Sequence, residues 1–147
     1  MAIVTRPPSN QNTYDEFWSG DQAFNHDDER KFGIARETGD WSSLLIEGQT
    51  PTKFVLRQIP GDVKRRILDQ FSASKIGGYE LDSLLLRLAV VDVVNLGDFR
   101  LKFTVSEDWG KLSTHDLPNL LDEYAPGCVA ELGLLIYRRM MGLSGKS

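Results

Sequence analysis

The run from Leu81 to Val94 constrains the fold more than any other part of the chain. Leu81, Leu84, Leu85, Leu88 and Val91 recur at helical spacing, while the remaining faces carry Leu86, Val90, Val93 and Val94. A segment that is apolar nearly all round must be covered on several sides. It therefore predicts a central helix, ended by Gly97 after Leu96, with the rest of the body packed around it. The β-branched residues near its end also permit a strand. Asp82, Arg87 and Asp92 interrupt the run, and it is shorter than the roughly 20 residues that span a bilayer, so no membrane is expected as a partner. Leu86, Val90 and Val94 lie off the main stripe, and their exposed parts are expected to face a partner or a second subunit.

Other elements follow from spacing. Leu44 to Ile46 and Phe54 to Leu56, separated by the turn-like Glu47 to Pro51, predict two short strands or a hairpin closed by Gly48. Val63, Ile67 and Phe71 recur every four residues, which predicts a helix capped by Asp62 and ended by Gly77 and Gly78. Phe99, Leu101, Phe103 and Val105 alternate with polar residues, the pattern of a half-buried strand, and Trp109 and Gly110 follow as a turn. Leu117, Leu120, Leu121 and Tyr124 fit a short helix with Asp116 as cap and Pro118 in its first turn. After Pro126, a last helix carries the stripe Val129, Leu132, Ile136 and Met140. Glu131 near its start and Arg138 and Arg139 near its end suit the helix dipole, and Gly142 ends it. The expected class is α+β, mostly α: a compact helical domain with a minor β element and an extended N-terminal arm.

That arm is residues 1–42. It holds eight acidic residues against four basic ones, so the whole net charge of −4 resides there, and no helical or strand period is sustained along it. An arm that was only disordered would be poor in aromatics. This one carries Tyr14, Phe17, Trp18, Phe24, Phe32 and Trp41, six of fourteen in the chain. Aromatics spaced along an acidic segment suggest anchors for another surface, with Tyr14, Phe17, Trp18, Phe24 and Phe32 as the candidate partner-binding residues. The alternative is that they fold back, because burial against the chain's own body yields the same free energy per area. Residues 43–143 then form the globular domain and 144–147 a flexible tail. At 147 residues and 41% hydrophobic content, the chain supports one such core and is short for two.

No constellation of chemistry passes a spacing check. Gly145, Lys146 and Ser147 resemble the end of a phosphate-binding loop, but the glycine required five residues before Gly145 is Met140. Cys128, the single cysteine, allows no intrachain disulfide and points to a reducing compartment. Near a helix start its thiol would be activated, yet neither His26 nor His115 is placed beside it by the sequence. His26 with Asp27, Asp28 and Glu29 matches no calcium loop and reads as a solvated charge run. Lys64, Arg65 and Arg66 read as a wet helix face, and the net charge gives no case for nucleic acid. Catalytic residues, metal ligands and cofactors are therefore expected to be none, and the chain is not expected to be an enzyme.

Lys53 to Pro60, an extended apolar segment with an Arg and a closing Pro, leads into a helix. Much later Leu117-Pro118 with Leu120 and Leu121 precedes a helix ending at Ile136 to Leu143. In this order and at this length, over residues 50–143, the pattern resembles small tail-morphogenesis proteins of tailed bacteriophages, particularly the tail assembly chaperones. The resemblance implies a non-catalytic structural or assembly protein that binds other tail or virion proteins, with self-association open. It also implies a place in the host cytoplasm during assembly or in the virion. A bacterial adaptor or regulatory domain is the alternative reading, and a small enzyme with an unrecognised site the third.

Overall fold

The structure, a computed structural model, describes residues 13–73, 77–97 and 116–142. Within them a three-stranded antiparallel sheet stands beside five α-helices, so the class is α+β and mostly helical. In chain order the elements are β1 (Thr13–Glu16), α1 (Arg30–Thr38), a 3-10 turn (Ser42–Leu44), β2 (Lys53–Arg57), α2 (Gly61–Ser72), α3 (Gly78–Ala89), β3 (Val90–Val94), α4 (Leu117–Tyr124) and α5 (Cys128–Met140). Among the described residues no helix is long and apolar enough to cross a membrane. The strand expected over Phe99–Val105, the turn at Trp109 and Gly110, His115 and the 144–147 tail lie outside the described residues.

The apolar run resolves into two elements. Leu81, Leu85, Leu86, Leu88 and Ala89 are buried on α3, and the chain turns directly into β3 at Val90. β-branched side chains prefer the pleated surface of a sheet to a helix interior, so the helix ends where four valines begin. Gly97, at φ +58°, sits beyond this strand rather than at the end of the helix.

β2 is the central strand. Thr13 faces Arg57 and Glu16 faces Phe54 on one side, while Lys53 faces Val94 and Phe54 faces Val93 on the other, with a bulge at Val55 and Leu56. Phe54 and Leu56, on alternate positions, are buried against α3, α4 and α5. The expected hairpin is not formed. Leu44 closes a 3-10 turn, Leu45 makes a single bridge to Phe24, and β2 takes its partners from β1 and β3. Arg57 is also buried, at 2% exposure, and its Nε donates to the Leu88 carbonyl at 2.8 Å. Burial lowers its pKa to about 10.

The helices follow their stripes. Val63 and Ile67 are buried on α2, though Phe71 at its end is 40% exposed, and the helix starts after Pro60 with Asp62 inside its first turn rather than at the cap. On α5 Val129, Leu132, Ile136 and Met140 are all buried. Asp116 stands at the N-cap of α4, but its carboxylate accepts from the Asn119 amide at 2.7 Å instead of from the helix backbone.

The N-terminal segment departs most from expectation. Over its described part, residues 13–42, it is not an extended arm: it contributes an edge strand to the sheet, contains α1, and builds a second hydrophobic cluster from Phe24, Ala35, Trp41 and Leu44. Gly39 ends α1 in the left-handed conformation (φ 77°), and its N–H returns to the Ala35 carbonyl at 2.7 Å, a geometry that only glycine adopts at little cost.

Candidate interaction site

The aromatics nominated for docking fold back onto their own chain. Phe24 is 1% exposed. Phe17 meets it edge-on at 6.0 Å, Trp41 lies 5.0 Å from it, and Phe32 packs against both. Tyr14 and Trp18 instead pack on the main core. Spaced along the sequence, these rings looked like separate anchors. In space Phe17, Phe24 and Phe32 join Trp41 in one cluster while Tyr14 and Trp18 join the main core, because ring surface gains as much from local burial as from an interface. Leu86 and Val90 are fully buried within α3 and β3 and cannot face a partner, which corrects that expectation; Val94 is 37% exposed.

A polar hub seats this segment on α5. Arg36 of α1 reaches Glu16 at 3.4 Å, Glu131 at 3.1 Å and the Phe17 carbonyl at 3.3 Å. Ser19 donates to the same Glu131 through its N–H at 2.7 Å and its hydroxyl at 2.5 Å. The Arg36 guanidinium also lies 5.1 Å from the Trp41 ring, and Arg139 lies 3.7 Å from the Tyr14 ring. His26, next to Asp27 to Glu29 in sequence, donates from Nε2 to the Ser19 carbonyl at 2.7 Å and stacks on Phe32. Burial raises the Glu16 pKa against the opposing pull of Arg36 and Arg139. None of Glu16, Ser19, Arg36 or Glu131 was nominated from sequence, since nothing local links positions so far apart.

Beside the hub a cleft of about 320 Å³ opens where the segment meets α4 and the start of α5. Trp18, Phe54, Leu120, Leu121 and Tyr124 give it apolar walls, and Asp21, Gln22, Thr52 and Cys128 the polar ones. Both Asp21 carboxylate oxygens are engaged, Oδ1 by the Ala23 N–H and Oδ2 by the Thr52 N–H, each at 2.9 Å. Cys128 is fully buried, and burial pushes its thiol up to about 12, the opposite of activation. Among the described residues no three His, Cys, Asp or Glu side chains gather as metal ligands. Tyr124, 61% exposed, projects at the rim, although its spacing with Leu117, Leu120 and Leu121 marks only a helix stripe.

Compared with protein-family models, curated proteins and solved structures, the chain matches none of them.

Proposed function

We propose that this chain is a non-catalytic protein-binding component of a tailed bacteriophage, acting in tail or virion assembly. The observation that supports it best is that the cleft's ionisable side chains are committed within the chain. Asp21 is consumed in holding Ala23 and Thr52, and Cys128 is kept protonated. What the cleft offers outward is mainly apolar surface from Trp18, Leu120 and Tyr124, with the exposed Gln22 at its margin. Such a surface gains from burying an apolar side chain of another protein, at about 25 cal/mol per Å², and does little for a polar substrate. The phage context comes from the element order of residues 50–143.

The test is capture of purified tail-tube and tape-measure proteins by the chain and by Tyr124→Asp. Tyr124 is exposed enough to be changed without unfolding the domain. Binding by the parent and a tenfold or greater loss in the variant is the expected result. Failure of the parent to bind either protein, or equal binding by the variant, would overturn the reading.

A further inference from the structure

The outward face of α5 repeats a pattern that its inward face has already used. Val129, Leu132, Ile136 and Met140 bury the inward side. Ala130, Leu134, Tyr137 and Met141 then follow one another at intervals of four, three and four residues, the spacing of a two-stranded coiled-coil seam. Leu134 is 53% exposed and Met141 36%. The flanks of the stripe are occupied. On one side the N-terminal segment holds Glu131 and Arg139, and on the other α3 lays Asp82 against Gly133. Tyr137, at the edge of this stripe, also packs against the main core. A helix needs one apolar stripe to join its own core, so Leu134 and Met141 are the large apolar residues left surplus to the monomer.

The charges beside the stripe suggest its occupant. In heptad terms Leu134 and Met141 take the a positions, Ala130 and Tyr137 the d positions, Gly133 a g position and Arg138 an e position. Gly133 has no side chain, but the Asp82 carboxylate lies over it and supplies a negative charge at that place. Neither Asp82 nor Arg138 has an ion-pair partner among the described residues. In parallel two-stranded packing, a g position faces the e position five residues further along the other strand. Gly133 and Arg138 are five residues apart.

We propose that two copies of this chain associate through α5 in parallel, with Leu134 and Met141 meeting their own counterparts and Asp82 of each copy paired with Arg138 of the other. A twofold axis along α5 makes both charge pairs at once, as a self-complementary interface requires. Burial against Gly133 holds the Asp82 carboxyl above its ordinary pKa, and a guanidinium arriving there would offset that cost. The seam covers only about two heptads, so the dimer is concentration-dependent rather than obligate. This surface is separate from the cleft, and the two stand or fall independently.

Sedimentation equilibrium on the full chain, from micromolar to near-millimolar concentration, tests the proposal. The expected result is a reversible monomer–dimer equilibrium. Leu134→Asp should raise its Kd more than tenfold, with an unchanged thermal midpoint in dilute solution where both proteins are monomers. Arg138→Asp should weaken it several-fold, and adding Asp82→Arg to that variant should recover affinity. In a separate sample, mild oxidation of Leu134→Cys should yield a covalent dimer, since a positions face each other in parallel packing. A chain that stays monomeric throughout overturns the proposal. So does a dimer indifferent to Leu134→Asp, and a Leu134→Cys chain that stays monomeric on oxidation overturns the parallel arrangement.

Discussion

Gly133 is the residue that lets α3 and α5 cross closely. A Cβ there would stand 2.6 Å from Asp82 Cγ and 2.7 Å from Asp82 Cβ, and no rotamer of Asp82 moves its own Cβ away. Gly133→Ala should therefore force the helices apart and cost about 1–3 kcal/mol, read as a lower urea midpoint. Cys128 gives a second prediction. With its thiol up at about 12 and no exposed surface, a thiol reagent at pH 8 should leave the native chain unmodified and label it fully in denaturant. Glu16 gives a third, whose sign runs against the usual carboxylate. Its folded pKa lies above the ordinary 4.5, so the ionised group costs stability at neutral pH. That cost shrinks as pH falls through the raised value and is gone below 4.5. Glu16→Gln should remove it: relative to the parent, the variant gains at pH 7 and the difference closes as the solution is acidified, as paired thermal melts would show. Position 16 lies on an edge strand, and Glu131 still holds both Arg36 and Ser19, so the substitution leaves the hub seated.

At the level of elements, what could be read from the sequence was whatever repeats with a local period. The stripe Val129, Leu132, Ile136, Met140 fixes both the existence of α5 and its buried side, and Val63 with Ile67 does the same for α2. β3 was legible only as an alternative, because Val90 to Val94 satisfy helical spacing and strand propensity together, and the sheet that decides between them is formed by distant residues. α1 was not legible. Its apolar residues are few, Ile34 faces solvent at 60% exposure, and only Ala35 is buried on it. It is held by Arg36 reaching Glu131, 95 residues away, a partner no window of sequence contains. Arg36→Ala should therefore free residues 13–44 first: their amide exchange should accelerate while α3 and α5 keep their protection. Trp41→Ala, which empties the centre of the second cluster, should produce the same regional pattern at a cost of about 3–5 kcal/mol. Uniform acceleration across the body in both variants would show that the cluster and the main core are one unit.

For the molecule as a whole, the step in composition at residue 42 is not a boundary in space. The acidic segment supplies one edge of the sheet whose other edge follows α3, and it lays Tyr14 and Trp18 on the main core while building an aromatic cluster of its own. Composition located the segment's charge correctly and said nothing of its destination, which depends on contacts that no periodicity encodes. Those contacts also set an order of events during synthesis. Ser19 and Glu131 are 112 residues apart. A ribosome adding about 5–20 residues per second emits the second roughly 6 to 20 s after the first. Through that interval the N-terminal rings can gather locally, but their seat on α5 has yet to be made, and Tyr14 and Trp18 wait in water. Eight acidic residues in the first forty-two give the waiting segment a like charge that keeps nascent chains on one messenger from sticking to each other. The charge asymmetry is thus a property suited to the protein's first seconds, before its fold exists to need it.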